Sequence, residues 1–368
     1  MLTKSVGNLL GAARAEADSV MLAKAFVETA AYRALVETQD FNFIVGRRGV
    51  GKSALFEKMR DHYGQVADTI MIADRPAEHH MIEFQRLLST VGYDYRALRS
   101  ISRLVWKTHL LFEMLVSMQS HYRFSKVREY RYLQDYLMQN KPLVKETGTA
   151  RCVTLLSRAI VGASHAVEVP GKFAALIHAD KLQAAITTTL AELNVPAIFI
   201  YDGLDEGWSP DVVATSVIGG LALAIADFTD AQIGTHTIIF VRDNIFRALA
   251  QLDTDFTRHI EGHTLRLHWD EASLFHLVAQ RLRVALNVQE IESDVKVWNR
   301  FAHRGLKDRE GFDFCLHHTL YRPRDILVLL NDAYANAARE GRGEVIETDI
   351  ETSGTRISQH RLDDVLKV

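Results

Sequence analysis

The sequence predicts an α/β fold: a parallel sheet covered by helices, with a large helical insertion and a C-terminal helical lid. Short apolar runs alternate with long helical segments, and this alternation favours parallel strands with helices on both faces. The expected strands are the runs at 41–45, 69–73, 196–201, 237–241 and 264–268. Ligands bind at the carboxyl ends of such strands, so we expect a functional site where these runs end.

The composition indicates a soluble globular protein. The 368 residues are 48% hydrophobic and 24% charged, and the net charge of −3 gives no global sign of nucleic-acid or membrane binding. Cys152 and Cys315 lie far apart, which suits a reducing cytoplasmic compartment and makes no metal or disulfide framework. The most apolar stretch, 212–226, contains Thr, Ser and Gly residues, and we expect a buried core helix there rather than a membrane span.

The first apolar run leads into the pattern Gly-x-x-x-x-Gly-Lys-Ser. Strand, glycine-rich loop and helix in this order are what a phosphate-binding P-loop requires, and the complete pattern disfavours an ordinary glycine turn. Glycines let backbone N–H groups approach phosphates, and the following helix adds the positive end of its dipole. We predict that Lys52 reaches the β- and γ-phosphates and that Ser53 binds Mg²⁺. The predicted nucleotide-binding residues are Gly46, Arg47, Arg48, Gly49, Val50, Gly51, Lys52, Ser53 and Ala54.

Acidic residues follow the run at 196–201. The segment Ile198–Asp202 has the form of a Walker B strand, whose terminal aspartate holds Mg²⁺ through water. We therefore predict Asp202 as the second metal-side residue, and Asp205 or Glu206 as the group that orients or deprotonates the attacking water. The alternative is a solvated acidic turn, which the upstream P-loop pattern makes the weaker interpretation.

Two arginines on later segments are candidates to contact the γ-phosphate. Arg242 ends the fourth run and is predicted to sense that phosphate, with a structural salt bridge to Asp243 or Asp205 as the alternative. Arg258 precedes the last run, and is either a finger that enters a neighbouring subunit's site or an ordinary surface arginine.

A third candidate lies at the start of a predicted lid helix. Pro323 fits the first turn of a helix, and an arginine stands on either side of it. We predict that Arg324, rather than Arg322, points back at the phosphates and couples nucleotide state to the lid. The alternative is that both are ordinary cations at a helix start.

Taken together, these motifs resemble bacterial P-loop ATPases of the STAND, NACHT and AAA+ kind. The run 202–206 looks like a NACHT-type Walker B, Arg322–Arg324 looks like the sensor-2 region of AAA+ lids, and 240–246 is similar to uncharacterised ATPases of antiphage conflict systems. The resemblance implies an ASCE/AAA+-like P-loop NTPase fold with ATP and Mg²⁺ as cofactors. It also implies slow hydrolysis and assembly as a homo-oligomer or with an effector protein.

The predicted division of the chain follows from these motifs. An N-terminal segment at 1–40, with one helix at 12–37, leads into a nucleotide-binding core at 41–77 and 191–268. An insertion of helices at 78–190 accounts for the long separation of Lys52 from Asp202. A helical lid at 269–345 and a tail at 346–368 complete the chain.

The inserted segment 96–132 is rich in basic and aromatic residues, and this leaves two interpretations open. Such residues can bind nucleic acid through phosphate contacts and stacking, as in a nucleic-acid-dependent motor or loader. They can equally form a solvated helix face with inward-packed aromatics, or a surface for an acidic protein partner. The main hypothesis is a regulatory or assembly ATPase of bacterial antiviral defence, and a further alternative is a scaffold that holds nucleotide for an effector.

Overall fold

The structure is a computed structural model that describes residues 8–163, 165–230, 234–253, 256, 258, 260, 262–288 and 291–366. The chain divides into two compact units. The sheet unit contains Thr38–Val45 and Lys58–Arg266, and it includes the predicted insertion. The terminal unit contains the chain up to Glu37, Gly46–Glu57 and the chain from Leu267 onward, and it includes the predicted P-loop and lid.

The described strands and helices alternate as the sequence predicts. The strands are β1 Phe43–Gly46, β2 Ile70–Asp74, β3 Ala197–Tyr201, β4 Thr235–Arg242 and β5 Thr264–Arg266. The helices are α1 Ser19–Lys24, α2 Ala30–Glu37, α3 Lys52–Gly64, α4 Glu78–Ser89, α5 Tyr95–Gln119, α6 Tyr130–Gln139, α7 Lys141–Lys145, α8 Thr149–Ile160, α9 Val169–Ile177, α10 Ala179–Leu193, α11 Val212–Asp230, α12 Asp243–Leu252, α13 Glu271–Leu286, α14 Asp294–Phe301, α15 Asp308–His317, α16 Pro323–Arg339 and α17 Glu347–Leu366.

The five strands form one sheet in the order β2-β3-β4-β1-β5. The β2–β3, β3–β4 and β1–β5 pairs are parallel, and Asp74 at the end of β2 is in register with Tyr201 at the end of β3. At the start of β1, the Asn42 side chain donates to the Thr237 carbonyl oxygen of β4 at 2.8 Å. All five residues of β3 are buried, as expected for a parallel strand covered on both faces.

The apolar stretch after β3 forms α11, which packs closely on α5. A Cβ atom at Gly220 would lie 2.4 Å from Ser102 Cβ and 2.7 Å from the Arg103 backbone nitrogen, so only glycine permits this approach. The Trp106 indole N–H donates to the Val217 carbonyl oxygen at 3.0 Å. Among the described residues, the segment Val212–Thr229 alone has the length and apolar character to cross a membrane, and 78% of it is buried inside the protein. These contacts are those of a core helix.

The terminal unit has its own apolar core, formed mainly by α13 to α16. The Trp298 ring packs against Phe312 and Phe301, and its indole N–H donates to the Leu306 carbonyl oxygen at 2.8 Å. The predicted tail forms α17, whose Arg356 pairs with Asp332 of α16 at 2.7 Å.

The predicted single helix at 12–37 is wrong. A short 3₁₀ turn at Ala15–Ala17 precedes α1 and α2, and residues 25–29 between those helices are not helical. The Thr29 hydroxyl oxygen accepts the Tyr32 backbone N–H at 3.2 Å and so begins α2. Val27 and Thr29 are also β-branched, which lowers their helix propensity.

Burial of His236 on β4 predicts an acid-sensitive sheet unit. This residue is 4% exposed, and burial lowers the pKa of its imidazole to about 4. His236 is therefore protonated near pH 6.5 in the unfolded chain but only near pH 4 in the folded chain. The free energy of unfolding consequently falls as the pH drops from 6.5 towards 4. Between about pH 7.5 and 5, we expect His236 to account for a loss of about 2 kcal/mol in unfolding free energy.

The measurement is urea unfolding, followed by circular dichroism, of the wild type and His236→Gln at both pH values. The glutamine variant is expected to lose less stability on acidification because it has no imidazole to protonate. Parallel pH dependences of the two proteins would contradict the assignment.

Candidate functional site

The glycine-rich loop, residues 46–53, joins β1 to α3 through a tight turn. Gly49 and Gly51 have φ angles of +85° and +103°, in the region that strains any residue with a Cβ atom. At Gly46 the restriction is packing, because a Cβ atom there would lie 2.6 Å from Val50 Cγ1. At each of these three positions, local backbone conformation or packing therefore explains why the residue is glycine.

Lys52 is the first residue of α3, and its side chain folds back over the loop. The residue is 8% exposed, and its ammonium group donates to the carbonyl oxygens of Gly46 at 2.7 Å and Arg47 at 3.0 Å. Ser53 follows in the first turn of the helix and is half-buried. The loop thus brings a buried ammonium group, a hydroxyl and the positive end of a 13-residue helix together, a combination suited to an anion.

The start of α16 lies against the same loop. The Arg324 backbone N–H donates to the Gly49 carbonyl oxygen at 3.2 Å, and a Cβ atom at Gly49 would lie 3.0 Å from Arg324 Cβ. The Arg322 guanidinium donates to the Arg48 carbonyl oxygen at 2.9 Å and to the buried Asp325 carboxylate at 2.8 Å. Both arginine side chains therefore lie beside the loop, Arg322 through its hydrogen bond to Arg48 and Arg324 through its packing against Gly49.

An apolar cavity of about 70 Å³ opens beside the loop within the terminal unit. The Trp269 indole N–H donates to the Val50 carbonyl oxygen at 2.9 Å and fixes one wall. The lining residues are Leu22, Ala25, Phe26, Val27, Thr29, Ala31, Val50, Gly51, Ala54, Leu55, Leu267, His268, Trp269, Leu277, Arg281, Pro323 and Leu327. Sequence reasoning missed this cavity, because the non-helical segment 25–29 that lines it falls inside the predicted helix.

In the sheet unit, Asp202 follows the carboxyl end of β3. Its backbone N–H donates to the Asp74 carbonyl oxygen at 3.2 Å, continuing the β2–β3 pairing by one residue. The carboxylate is 6% exposed and lies 3.3 Å from the Arg75 guanidinium. The next residue, Gly203, has a φ angle of +75°, so the chain turns immediately after the aspartate.

The two other predicted acids differ in their surroundings. The Asp205 carboxylate forms an ion pair with Arg242 at the end of β4, whereas Glu206 is exposed. The alternative to phosphate sensing is a salt bridge of Arg242 to Asp205 or Asp243, and the structure contains the pair with Asp205. The other does not form with Arg242, because the Asp243 carboxylate pairs with Arg247 at 2.6 Å and with Arg266 at 2.7 Å.

A buried polar cluster connects the end of β2 with the inserted helices. Arg151 of α8 is 1% exposed and donates to the Glu113 carboxylate at 2.6 Å and to the Leu143 carbonyl oxygen at 2.8 Å. Gly148 lies so close that a Cβ atom there would be 3.0 Å from Asp74 Oδ2. Burial, and secondarily the nearby Glu113 charge, raise the pKa of the Asp74 carboxyl to about 6.

Four of the eight basic residues of the inserted segment contact acidic or carbonyl partners among the described residues, and these four are Arg99, Arg103, Arg123 and Arg128. Arg103 donates to the Asp227 carboxylate at 2.7 Å, and Arg99 pairs with Asp253. The aromatic residues divide, because Phe124 is buried whereas Tyr122 is 74% exposed. The interpretations of a solvated helix face, a partner surface and a nucleic-acid site therefore all stay predictions.

Arg258 is exposed, which fits both a surface arginine and a finger for another subunit. Three neighbours in that predicted segment, Asp255, Thr257 and His259, lie outside the described residues. Within the described residues, no group of three or more His, Cys, Asp or Glu side chains could hold a metal ion. A Mg²⁺ ion held by a serine hydroxyl, one carboxylate and phosphate oxygens needs no such group, so the residues present fit that ion.

The geometry defines an α/β protein with a parallel sheet, a glycine-rich loop and a C-terminal helical domain. Residues 272–366 match the family described as the FunZ-associated C-terminal helical domain. This match covers α13 almost completely and every later helix of the terminal unit.

Two curated relatives extend the comparison. The chain is 36% identical over 364 residues to "Putative transposon gamma-delta 80.3 kDa protein" of Escherichia coli (strain K12). That alignment covers 99% of this chain and 52% of the relative, so the chain spans about half the relative's length. The chain is also 50% identical over 128 residues to "Allergen Alt a 2" of Alternaria alternata, covering 35% of this chain and 67% of that protein. The chain therefore belongs to the same protein family as Alt a 2. No solved structure matches the chain.

The Arg151–Glu113 pair predicts a large loss of stability when the arginine is removed. Arg151→Met removes the donor to the carbonyl oxygens of Leu143 and Glu146 and leaves the Glu113 carboxylate without its charged partner, so we expect a loss of about 3 kcal/mol. Arg128 is the matched control, because its side chain is 74% exposed and lies 3.7 Å from Glu129. Arg128→Met is expected to cost less than about 1 kcal/mol.

The two variants are compared by their urea unfolding midpoints. Equal midpoints would show that the buried pair contributes no more than an exposed one.

Proposed function

We propose that the chain is a Mg²⁺-dependent ATPase with a P-loop NTPase fold of the ASCE/AAA+ kind. The observation that carries this proposal is the loop between β1 and α3. It combines two glycines with positive φ angles, a buried ammonium group at Lys52 and the start of a long helix. Backbone N–H groups, a lysine and a helix dipole in this arrangement are the elements that bind a polyphosphate.

The strand order supports the same proposal. β4, which ends in Arg242, lies between β1, which leads into the loop, and β3, which leads into Asp202. The resemblance to P-loop ATPases implies this order, with a polar residue at the end of the intervening strand.

We propose the apolar cavity as the site of the adenine base, which would require its walls to move apart, because a cavity of about 70 Å³ is smaller than one that holds benzene. Its walls include Val50 and Gly51 of the loop itself, so a base in the cavity would leave its phosphates beside that loop. Phe26 and Leu327 supply apolar surface on other sides. A mostly apolar lining with few polar groups is typical of small-molecule sites.

For catalysis, we propose one role for each residue. Lys52 binds the β- and γ-phosphates, and Ser53 and Asp202 hold the metal ion, which when bound would neutralise charge on the phosphates. Of the two candidate acids, Glu206 is exposed and Asp205 already pairs with Arg242, which favours Glu206 as the group that orients water. For Arg324, we propose a response to nucleotide through its contacts with Gly49.

The biological role is proposed more broadly, as a cytoplasmic regulatory or assembly ATPase that acts as a homo-oligomer or with an effector protein. The printed name of one relative refers to a transposon, which suggests a context of mobile DNA. The defence role stays a prediction that no comparison addresses. The nucleic-acid-dependent motor or loader likewise stays a prediction, and we do not advance it as a second function because no contact among the described residues specifically favours it.

Removal of the Lys52 ammonium group tests the phosphate site. Lys52→Ala is expected to weaken Mg-ATP binding by about 10- to 100-fold, because it removes charge-assisted contacts to the phosphates. Lys24, an exposed residue of α1, is the matched control, and Lys24→Ala is expected to bind like the wild type. Isothermal titration calorimetry with a non-hydrolysable ATP analogue measures both. Unchanged affinity in Lys52→Ala would contradict the proposal.

Filling the apolar cavity tests the base site independently of the phosphate site. Val27→Trp places a large ring in the cavity and is expected to weaken ATP binding at least about tenfold. Binding of inorganic tripolyphosphate, which has no base, is expected to stay unchanged. The control is Val20→Trp, because Val20 is 69% exposed on α1. Equal losses for ATP and tripolyphosphate would place the base elsewhere.

A further inference from the structure

Arg75 contacts the carboxylate that we assign to the metal site. The residue directly follows β2, as Asp202 directly follows β3, and these strands are parallel neighbours in register at Asp74 and Tyr201. The backbone therefore places the two side chains at adjacent positions on the carboxyl edge of the sheet. Arg75 Nη2 lies 3.3 Å from Asp202 Oδ2, and the carboxylate is nearly buried whereas the guanidinium is 28% exposed.

The position of Arg75 is fixed by its neighbours rather than by the ion pair alone. The preceding residue, Asp74, accepts the Asp202 backbone N–H through its carbonyl oxygen. The Asp74 carboxylate is packed so closely against Gly148 of the insertion that no Cβ atom fits there without a shift. The backbone next to Arg75 is thus fixed by two contacts of Asp74, one with Asp202 and one with Gly148.

We propose that Arg75 is a positioning residue that holds the Asp202 carboxylate in the metal-free protein and competes with the divalent cation for it. This inference rests on the proposed function, in which Asp202 serves the Mg²⁺ ion. A carboxylate buried without a cation is costly, so the guanidinium stabilises it while the metal is absent. When a divalent cation arrives, the positive charge of Arg75 opposes it.

The wild type should therefore bind the divalent cation less tightly than a protein without the Arg75 charge. Loss of the positive charge at position 75 removes the competition, and metal binding improves although a native contact has been deleted. A residue with a merely structural role gives the opposite result, because its loss disorders Asp202 and weakens metal binding.

The experiment uses the full chain with a non-hydrolysable ATP analogue and Mn²⁺ in place of Mg²⁺, followed by electron paramagnetic resonance. Arg75→Gln is expected to lower the half-saturating Mn²⁺ concentration by about 3- to 10-fold. Arg75→Lys keeps the charge and is expected to stay within about twofold of the wild type. Arg86→Gln is the matched control, because Arg86 is exposed and pairs with Glu83 at 2.6 Å on α4.

Two additional measurements separate the inference from the function on which it rests. Affinity for the nucleotide analogue in EDTA is expected to be equal in all these proteins. In an Asp202→Asn background, the change Arg75→Gln is expected to have no effect on Mn²⁺ binding. This background also removes the buried Asp202 charge, which could destabilise the single variant Arg75→Gln.

The outcomes are distinct. If the wild type binds no nucleotide with or without metal, the proposed function fails and the inference fails with it. If nucleotide binds and Arg75→Gln leaves the half-saturating Mn²⁺ concentration unchanged or raises it, only the role of Arg75 is overturned. If the single variant Arg75→Gln does not fold, the comparison is made between Asp202→Asn and the double variant. A difference in Mn²⁺ affinity between those two proteins overturns the role of Arg75.

Discussion

The tight turn between β1 and α3 is the constraint on which the account depends. In this turn the backbone enters conformations that side chains disfavour, and Gly49 and Gly51 supply them. The same turn brings the Lys52 ammonium group over its own carbonyl oxygens and leaves no room for a Cβ atom at Gly46. Local backbone geometry thus creates a cationic site before any ligand is present.

Buried charge is the second theme, and it belongs to the sheet unit. Asp202, Asp205 and Glu113 each have an arginine partner, and these partners are Arg75, Arg242 and Arg151. The last pair connects two inserted helices, α5 and α8, near the end of β2. The Arg75 and Arg242 side chains are 28% and 35% exposed, whereas Arg151 is 1% exposed.

Much of the fold could be predicted from the sequence because strands in parallel sheets are short and apolar. The runs at 69–73 and 196–201 became β2 and β3 with small shifts, and Pro323 begins α16 as predicted. The exception was the N-terminal segment, where the Thr29 cap interrupts a pattern that reads as one helix. Local capping decided that segment, and hydrophobic periodicity does not report it.

The candidate site could be predicted only in part, because sequence motifs identify residue types and not their partners. The glycines and Lys52 were evident from spacing, whereas the apolar cavity depends on segments 25–29 and 267–269, which lie far apart in the sequence. Likewise, nothing in the sequence connects Arg75 with Asp202. Their contact follows from the register of β2 and β3, which is fixed only when the sheet forms.

The most direct test of the central claim is a crystal structure of the full chain with Mg²⁺ and a non-hydrolysable ATP analogue. We predict that the Lys52 ammonium group leaves the carbonyl oxygens of Gly46 and Arg47 and binds the β- and γ-phosphates, with the base in the apolar cavity. A nucleotide bound elsewhere, or a loop in which Lys52 keeps both carbonyl contacts while nucleotide is present, would contradict the account.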